Sequence, residues 1–333
     1  MKLSKKTVLR IFHWLGMAML AGLIYWAGPR KMLELAGRLN PWWLLLGFLL
    51  NIPQIGLKAF RWKKMVNWQG MKFSYPQAFL SYFGSLLIGF ITPGRLGEMI
   101  KAVTLRNECR VPLARGLSSV ILDRVFDMYL LLSLGSLGIV RFAVVGTKLS
   151  WPAFIATCVA MFLPLAFLNE RVFRLATGII IGLPALRPRA EWLREQVNHF
   201  AEGLAVLTPR HLLTSVGLTV CAYTLFFVQC LCCALALGFT LPFRDLVLMM
   251  AASNFISLVP ISPPNGLGTR EACLTYFLAR TVPPQGVTTA VSFGLTIFLV
   301  LFVGGGLIGW VCWLYAPLGM RRAASEVTAK TRQ

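Results

Sequence analysis

The amino-acid sequence predicts an all-α polytopic membrane protein, and three observations carry that prediction. Hydrophobic residues make up 57% of the 333-residue chain and charged residues only 14%, for a mean hydropathy of +0.69. Several apolar runs reach about 18 residues with few charges, enough at ~1.5 Å per residue to cross a ~30 Å hydrocarbon core. The third observation is where the basic residues lie. The net charge is +21, yet Lys and Arg flank the apolar runs instead of forming a stripe with interleaved aromatics. That placement fits topogenic charge facing anionic lipid, and it argues against nucleic acid as a partner.

Residues 1–10 are basic and lead into an apolar run without a small-residue cleavage site, so a retained first helix is expected. Six full crossings are expected at about 9–28, 41–59, 117–140, 151–168, 211–238 and 287–316. Two further apolar stretches, 75–92 and 245–261, each end in a Pro/Gly break followed by a short charged limb. They read as re-entrant, broken-helix hairpins. Across 170–210, arginines alternate with apolar residues, and Trp192, Val197, Phe200, Leu204 and Leu207 share one helical face. That pattern fits an amphipathic connector on the membrane surface, a solvated linker helix being the alternative. The expected organisation is one transmembrane domain, 1–320, followed by a basic tail, 321–333.

The eight cysteines (109, 158, 221, 230, 232, 233, 273 and 312) mostly lie inside apolar runs, without metal-ligand spacing or a disulfide framework. Cys230, Cys232 and Cys233 read as packing residues. His13, His199 and His211 are far apart. No metal and no cofactor is expected. Trp42, Trp43, Trp62, Trp68 and Tyr75 sit near boundaries and read as interfacial aromatics.

If both broken stretches dip in and return on the same side, one membrane face receives 23 basic residues and the other 7. The positive-inside rule then places both termini in the cytoplasm.

The two breaks resemble each other. Pro93-Gly94-Arg95-Leu96-Gly97 lies 171 residues before Pro264-Asn265-Gly266-Leu267-Gly268, and the same offset relates Val111-Pro112 to Val282-Pro283. Pro76 and Pro242 open the two preceding limbs. Both units read as long helix, Pro-initiated half-helix, Pro/Gly break, charged half-helix, Val-Pro turn and long helix. Repeat 1 covers about 41–140 and repeat 2 about 211–316. Nine basic residues surround the first hairpin and two the second, so the hairpins are expected to enter from opposite sides. Such an inverted repeat with paired broken helices marks a binding site near the midplane. A broken helix at that depth exposes backbone groups that only protein or a watery cavity can satisfy.

The expected site follows from the charges at the breaks. Half-helices starting at Leu96 and Thr269 would aim free N–H groups at one cavity, beside Arg95 and Arg270. Such a site suits an anionic group, phosphate in particular, which Arg holds bidentately. Glu98 and Glu271 would neutralise those arginines in the empty site or carry a coupling proton. Lys101 and Arg124 complete the expected substrate-binding set. Asp123 and Asp127, at i and i+4, share a face, with Arg124 about 100° away. Buried ionisable groups at this depth are functional candidates. The alternative for Asp123 and Asp127 is a structural ion network with Arg95 or Lys101 that locks the hairpin.

The segments "TPGRLGEMIKA" and "PPNGLGTREACLTYF" resemble the two signature segments of the lysylphosphatidylglycerol synthase transmembrane, or flippase-like, family. The resemblance covers about residues 8–316. It implies a protein of the bacterial inner membrane that moves lipids between leaflets. Members usually carry Pro-Gly-Gly-Leu-Gly-x-Arg-Glu at the second site; here Asn265 replaces the first Gly, a mild change because Asn tolerates positive φ. Some relatives are fused to a soluble aminoacyltransferase. Here only "PLGMRRAASEVTAKTRQ" follows residue 316, so aminoacyl transfer is not carried over, and a lipid-synthesising partner is expected to be another chain. Transport of an anionic-headgroup lipid is the function expected. An intramembrane transferase acting on a polyprenyl-phosphate lipid, with Asp123, Asp127 or Glu98 as base, and a membrane scaffold for a lipid-synthesis enzyme are the alternatives.

Overall fold

The computed structural model describes residues 21, 22, 24, 25, 28–92, 97–144, 173–175, 177, 178, 190–205, 208–257, 268–281 and 287–315. Among them there is no strand. The helices are α1 (Pro29–Gly37), α2 (Pro41–Leu49), α3 (Asn51–Trp68), α4 (Tyr75–Ile91), α5 (Ile100–Cys109), α6 (Leu113–Ile139), α7 (Ala190–Ala205), α8 (Pro209–Ala236), α9 (Phe243–Ser257), α10 (Thr269–Thr281), α11 (Val287–Ile297) and α12 (Gly304–Leu314). A π-helical turn, Val140–Val144, follows α6, and another, Phe298–Val303, joins α11 to α12.

Among the described residues, four stretches are long and apolar enough to cross a membrane: Pro41–Trp68, Leu113–Phe142, Pro209–Ala236 and Val287–Leu314. They coincide with four of the expected crossings. The expected crossing at 151–168 lies outside the described residues, as does almost all of that at 9–28. The second expected crossing ends too early in the sequence reading. Its helix runs on to Trp68, because Ile55, Ala59, Trp62 and Val66 keep an apolar stripe at helical spacing, all four buried. Lys58 and Arg61 therefore both sit within the helix. Pro53 supplies no N–H to the turn before it. There α2 gives way to α3, and the Asn51 amide bridges the carbonyls of Phe48 and Val300 at 3.0 and 2.9 Å.

The first break is built around Thr92. Ser74 and Gln77 cap the start of α4 reciprocally, with Pro76 in its first turn. At the other end, the Thr92 hydroxyl donates to Ile88 O (3.1 Å) and accepts from the Gly97 N–H (2.7 Å). A tight 3₁₀ turn over 97–99 then precedes α5. The second limb thus starts as an α-helix at Ile100 and not at Leu96. The Thr92 bridge forces the tighter turn, and so does the close approach of Gly97 to α4, where a Cβ would lie 2.6 Å from Ile88 O. The second limb of the later break starts at Thr269, as expected. There the Gly268 N–H, at a φ of +85°, donates to Glu271 Oε2 at 2.7 Å.

Two large apolar cores form. One joins α3, α4, α5 and Val120 of α6, with Cys312 of α12 added. The other joins α8 to α11, with Leu131 of α6 added. Cys230 and Cys233 pack in the latter. Each core therefore borrows from the other unit, Cys312 in one and Leu131 with Phe142 in the other. The borrowing continues through glycine. A Cβ at Gly138 of α6 would collide with Leu248 O of α9, and one at Gly309 of α12 would lie 2.7 Å from Phe83 O of α4. Gly138 and Gly309 are themselves 171 residues apart. In lipid there is little hydrophobic drive between helices, so close backbone approach at small residues holds them together. Gly138→Ala and Gly309→Ala are each expected to lower stability by about 1–3 kcal/mol through overpacking, read as a lower midpoint of thermal unfolding in detergent.

The α7 helix docks on protein. Gly203 O accepts from Gln69 Nε2 at 3.0 Å, Ala201 is fully buried and Phe200 stacks on Phe173, while Trp192 remains exposed.

A buried charge network beside the first break

The first half-helix delivers Glu98 and Lys101 against α6, and both are buried. Glu98 pairs with Arg124 and lies 3.7 Å from Lys101 Nζ. Its side chain also fills the space left by Gly89, where a Cβ would lie 2.7 Å from Glu98 Cγ. Lys101 Nζ continues to Asp123 Oδ2 at 3.3 Å and lies over the Tyr82 ring at 3.9 Å. The network is continuous from the break into the bundle.

Asp123 is its hub. Its Oδ1 accepts from Arg61 Nε (2.9 Å) and Nη2 (2.7 Å), and its Oδ2 accepts from the Tyr82 hydroxyl at 3.0 Å. The same guanidinium lies 2.8 Å from Asp127 Oδ1 and donates to the Thr219 hydroxyl of α8 at 2.5 Å. Lys58 Nζ donates to Asp127 Oδ2 at 2.8 Å and sits 4.3 Å above the Tyr223 ring. Asp123 and Asp127 thus face α3, whereas Arg124, one step round the helix, faces Glu98. The i, i+4 spacing puts the two aspartates on one face. Their principal partner, Arg61, escapes a sequence reading that ends the helix near residue 59. The apolar stripe continuing through Trp62 and Val66 is the signal that could have extended the helix past Arg61.

The second break carries a smaller cluster. Arg270 and Glu271 are both fully buried and pair with each other. Arg270 Nη2 also donates to Gly294 O at 3.2 Å, and the guanidinium carbon lies 4.8 Å from the Phe302 ring centre. Arg270 Nη1 is buried with no hydrogen-bond partner among the described residues. Glu271 is held at both oxygens, one by the Gly268 N–H and the other by Arg270. Gly97 and Gly268 border the two breaks. Pro93, Gly94, Arg95, Pro264, Asn265 and Gly266 lie outside the described residues.

Among the described residues the formal charges do not cancel. The first cluster opposes four cations (Lys58, Arg61, Lys101 and Arg124) with three carboxylates (Glu98, Asp123 and Asp127). A low-dielectric interior penalises an uncompensated charge by several kcal/mol.

A family model described as the lysylphosphatidylglycerol synthase TM region matches residues 13–309. The chain belongs to that family. It is 24% identical over 339 aligned positions to a UPF0104 membrane protein of Methanothermobacter thermautotrophicus, an alignment covering 94% of both chains. A UPF0104 membrane protein of Methanocaldococcus jannaschii is 23% identical, with 94% of this chain and 95% of the relative covered. The glycosyltransferase AglD of Haloferax volcanii is also 23% identical, but the match takes in 86% of this chain and only 51% of that protein. Family membership and the apolar helices together make this a membrane protein.

Proposed function

We propose that the protein is a lipid transporter, or flippase, that moves an anionic-headgroup lipid between the leaflets of the inner membrane. The observation that carries this reading is the excess cation in the buried network beside the first break. A phosphodiester headgroup brings about one negative charge and oxygens that a guanidinium can hold in pairs. Arg124 is bound to Glu98 and Arg270 to Glu271, so each carboxylate stands in for the headgroup while the site is empty. The lipid displaces a carboxylate, and its tails stay in the bilayer.

The two breaks are read as the tips of re-entrant hairpins in an inverted repeat, with both termini cytoplasmic. The reciprocal contacts of Gly138 with Leu248 and of Gly309 with Phe83 support that reading, since a pseudo-twofold arrangement makes such contacts in pairs. Rocking of the packed units would open the site to alternate leaflets. The name of the haloarchaeal glycosyltransferase belongs to a chain of which about half is matched, and it does not favour a transferase here.

The test is reconstitution into sealed vesicles holding a reporter lipid with a phosphate headgroup in one leaflet. Transfer to the other leaflet should exceed that in protein-free vesicles, and a zwitterionic reporter should move more slowly. Equal transfer with and without protein, across several anionic lipids, would overturn the proposal.

A further inference from the structure

A second basic feature lies on the far side of α3 from Arg61. Where α3 turns into α4, an open cavity of about 730 Å³ is lined by Lys63, Asn67, Lys72, Phe73, Tyr75 and Gln77, among others. Lys63 and Lys72 have no ion-pair partner among the described residues, in contrast to Lys58 and Lys101. The α4 helix begins at this cavity, and its N-terminus adds partial positive charge. Asn67 and Gln77 already serve the turn, through Phe73 N and the Ser74 cap. The lysines are left as the groups that can bind.

The corresponding start in the second unit is different. There Asp245, in the first turn of α9, lies 3.7 Å from Arg141 and 3.5 Å from Arg244, so positive charge is answered locally. The unanswered lysines are peculiar to the first unit. The rim also has interfacial character. Tyr75 is 39% exposed and packs edge-on against Phe60, and the ammonium of Lys64 lies 5.2 Å from the Phe60 ring centre. Amphipathic rings and lysines with long apolar stems favour headgroup depth at a membrane surface. Phe73 and Trp62, both buried and in edge-to-face contact, separate this cavity from the Arg61 network.

We infer that the Lys63–Lys72 cavity is a second site, outside the buried network, that binds the phosphate of an anionic lipid headgroup from the surrounding leaflet. The inference requires the chain to be in a membrane but does not require it to transport lipid. Full-length protein in phosphatidylcholine nanodiscs would be titrated with phosphatidylglycerol, and retained lipid counted by native mass spectrometry. Lys63→Gln with Lys72→Gln is expected to weaken retention of one phosphatidylglycerol about thirtyfold, and high salt to weaken it in the wild type. Lys72→Gln alone, on an exposed residue, should weaken it about fivefold and serves if the double variant misfolds. Wild-type retention in both variants overturns the inference. If only the double variant Arg270→Gln, Glu271→Gln loses lipid, the buried pair at the second break is the headgroup site and the inference falls. A soluble arm uses glycerol phosphate and inorganic phosphate in phosphatidylcholine discs. Displacement of the retained lipid by either at equal concentration would reassign the site to free phosphate.

Discussion

Replacing Arg270 and Glu271 together by Gln is expected to leave the protein folded and reduce lipid transfer to the level of protein-free vesicles. The pair is fully buried and its charges are mutually compensating, so removing both strands no ion. What disappears is the guanidinium with its unpartnered Nη1 and the carboxylate that holds it. The single change Arg270→Gln is different. It leaves Glu271 buried with only the Gly268 N–H, and a loss of about 3–5 kcal/mol of stability follows. Stability by thermal unfolding in detergent and lipid transfer in vesicles separate the two effects. A folded double variant with undiminished transfer would remove Arg270 from the site.

A comparably large effect on folding should come from Asp123→Ala. That carboxylate neutralises Arg61 and Lys101 and accepts the Tyr82 hydroxyl. Its loss leaves two essentially unexposed cations under-compensated, Arg61 with Asp127 alone and Lys101 with Glu98 at 3.7 Å, at a cost of about 3–5 kcal/mol. Adding Arg61→Leu removes one under-compensated charge and one of the two partners of Asp127. Asp127 keeps Lys58. The double variant is therefore expected to recover part of the stability lost, as a positive coupling in a double-mutant cycle. Purely additive losses would show that Asp123 and Arg61 do not act as a unit.

Much of this protein is legible in its sequence because lipid leaves few options. Apolar length specifies the crossings at Pro209–Ala236 and Val287–Leu314, and the Pro-flanked limbs specify where helices start. The grouping of Asp123 with Asp127 follows from helical period. Partner choice does not follow. Arg61 reaches Asp123 across 62 positions, and no local pattern distinguishes it from Lys63, two residues on, which faces the opposite side. Charge alone points Arg124 at substrate, and its pairing with Glu98 depends on how the half-helix lies against α6. The start of α5 at Ile100 depends on one hydroxyl, that of Thr92, intercepting an N–H.

The glycine contacts bear on which bodies can move. Gly138 seats α9, the limb before the later break, and Gly309 seats α4, the limb before the earlier one, so each long helix carries a piece of the opposite half as cargo. The rigid blocks of any conformational cycle are then assembled crosswise from the two halves of the chain. Neither half could swing independently without first unclasping the other.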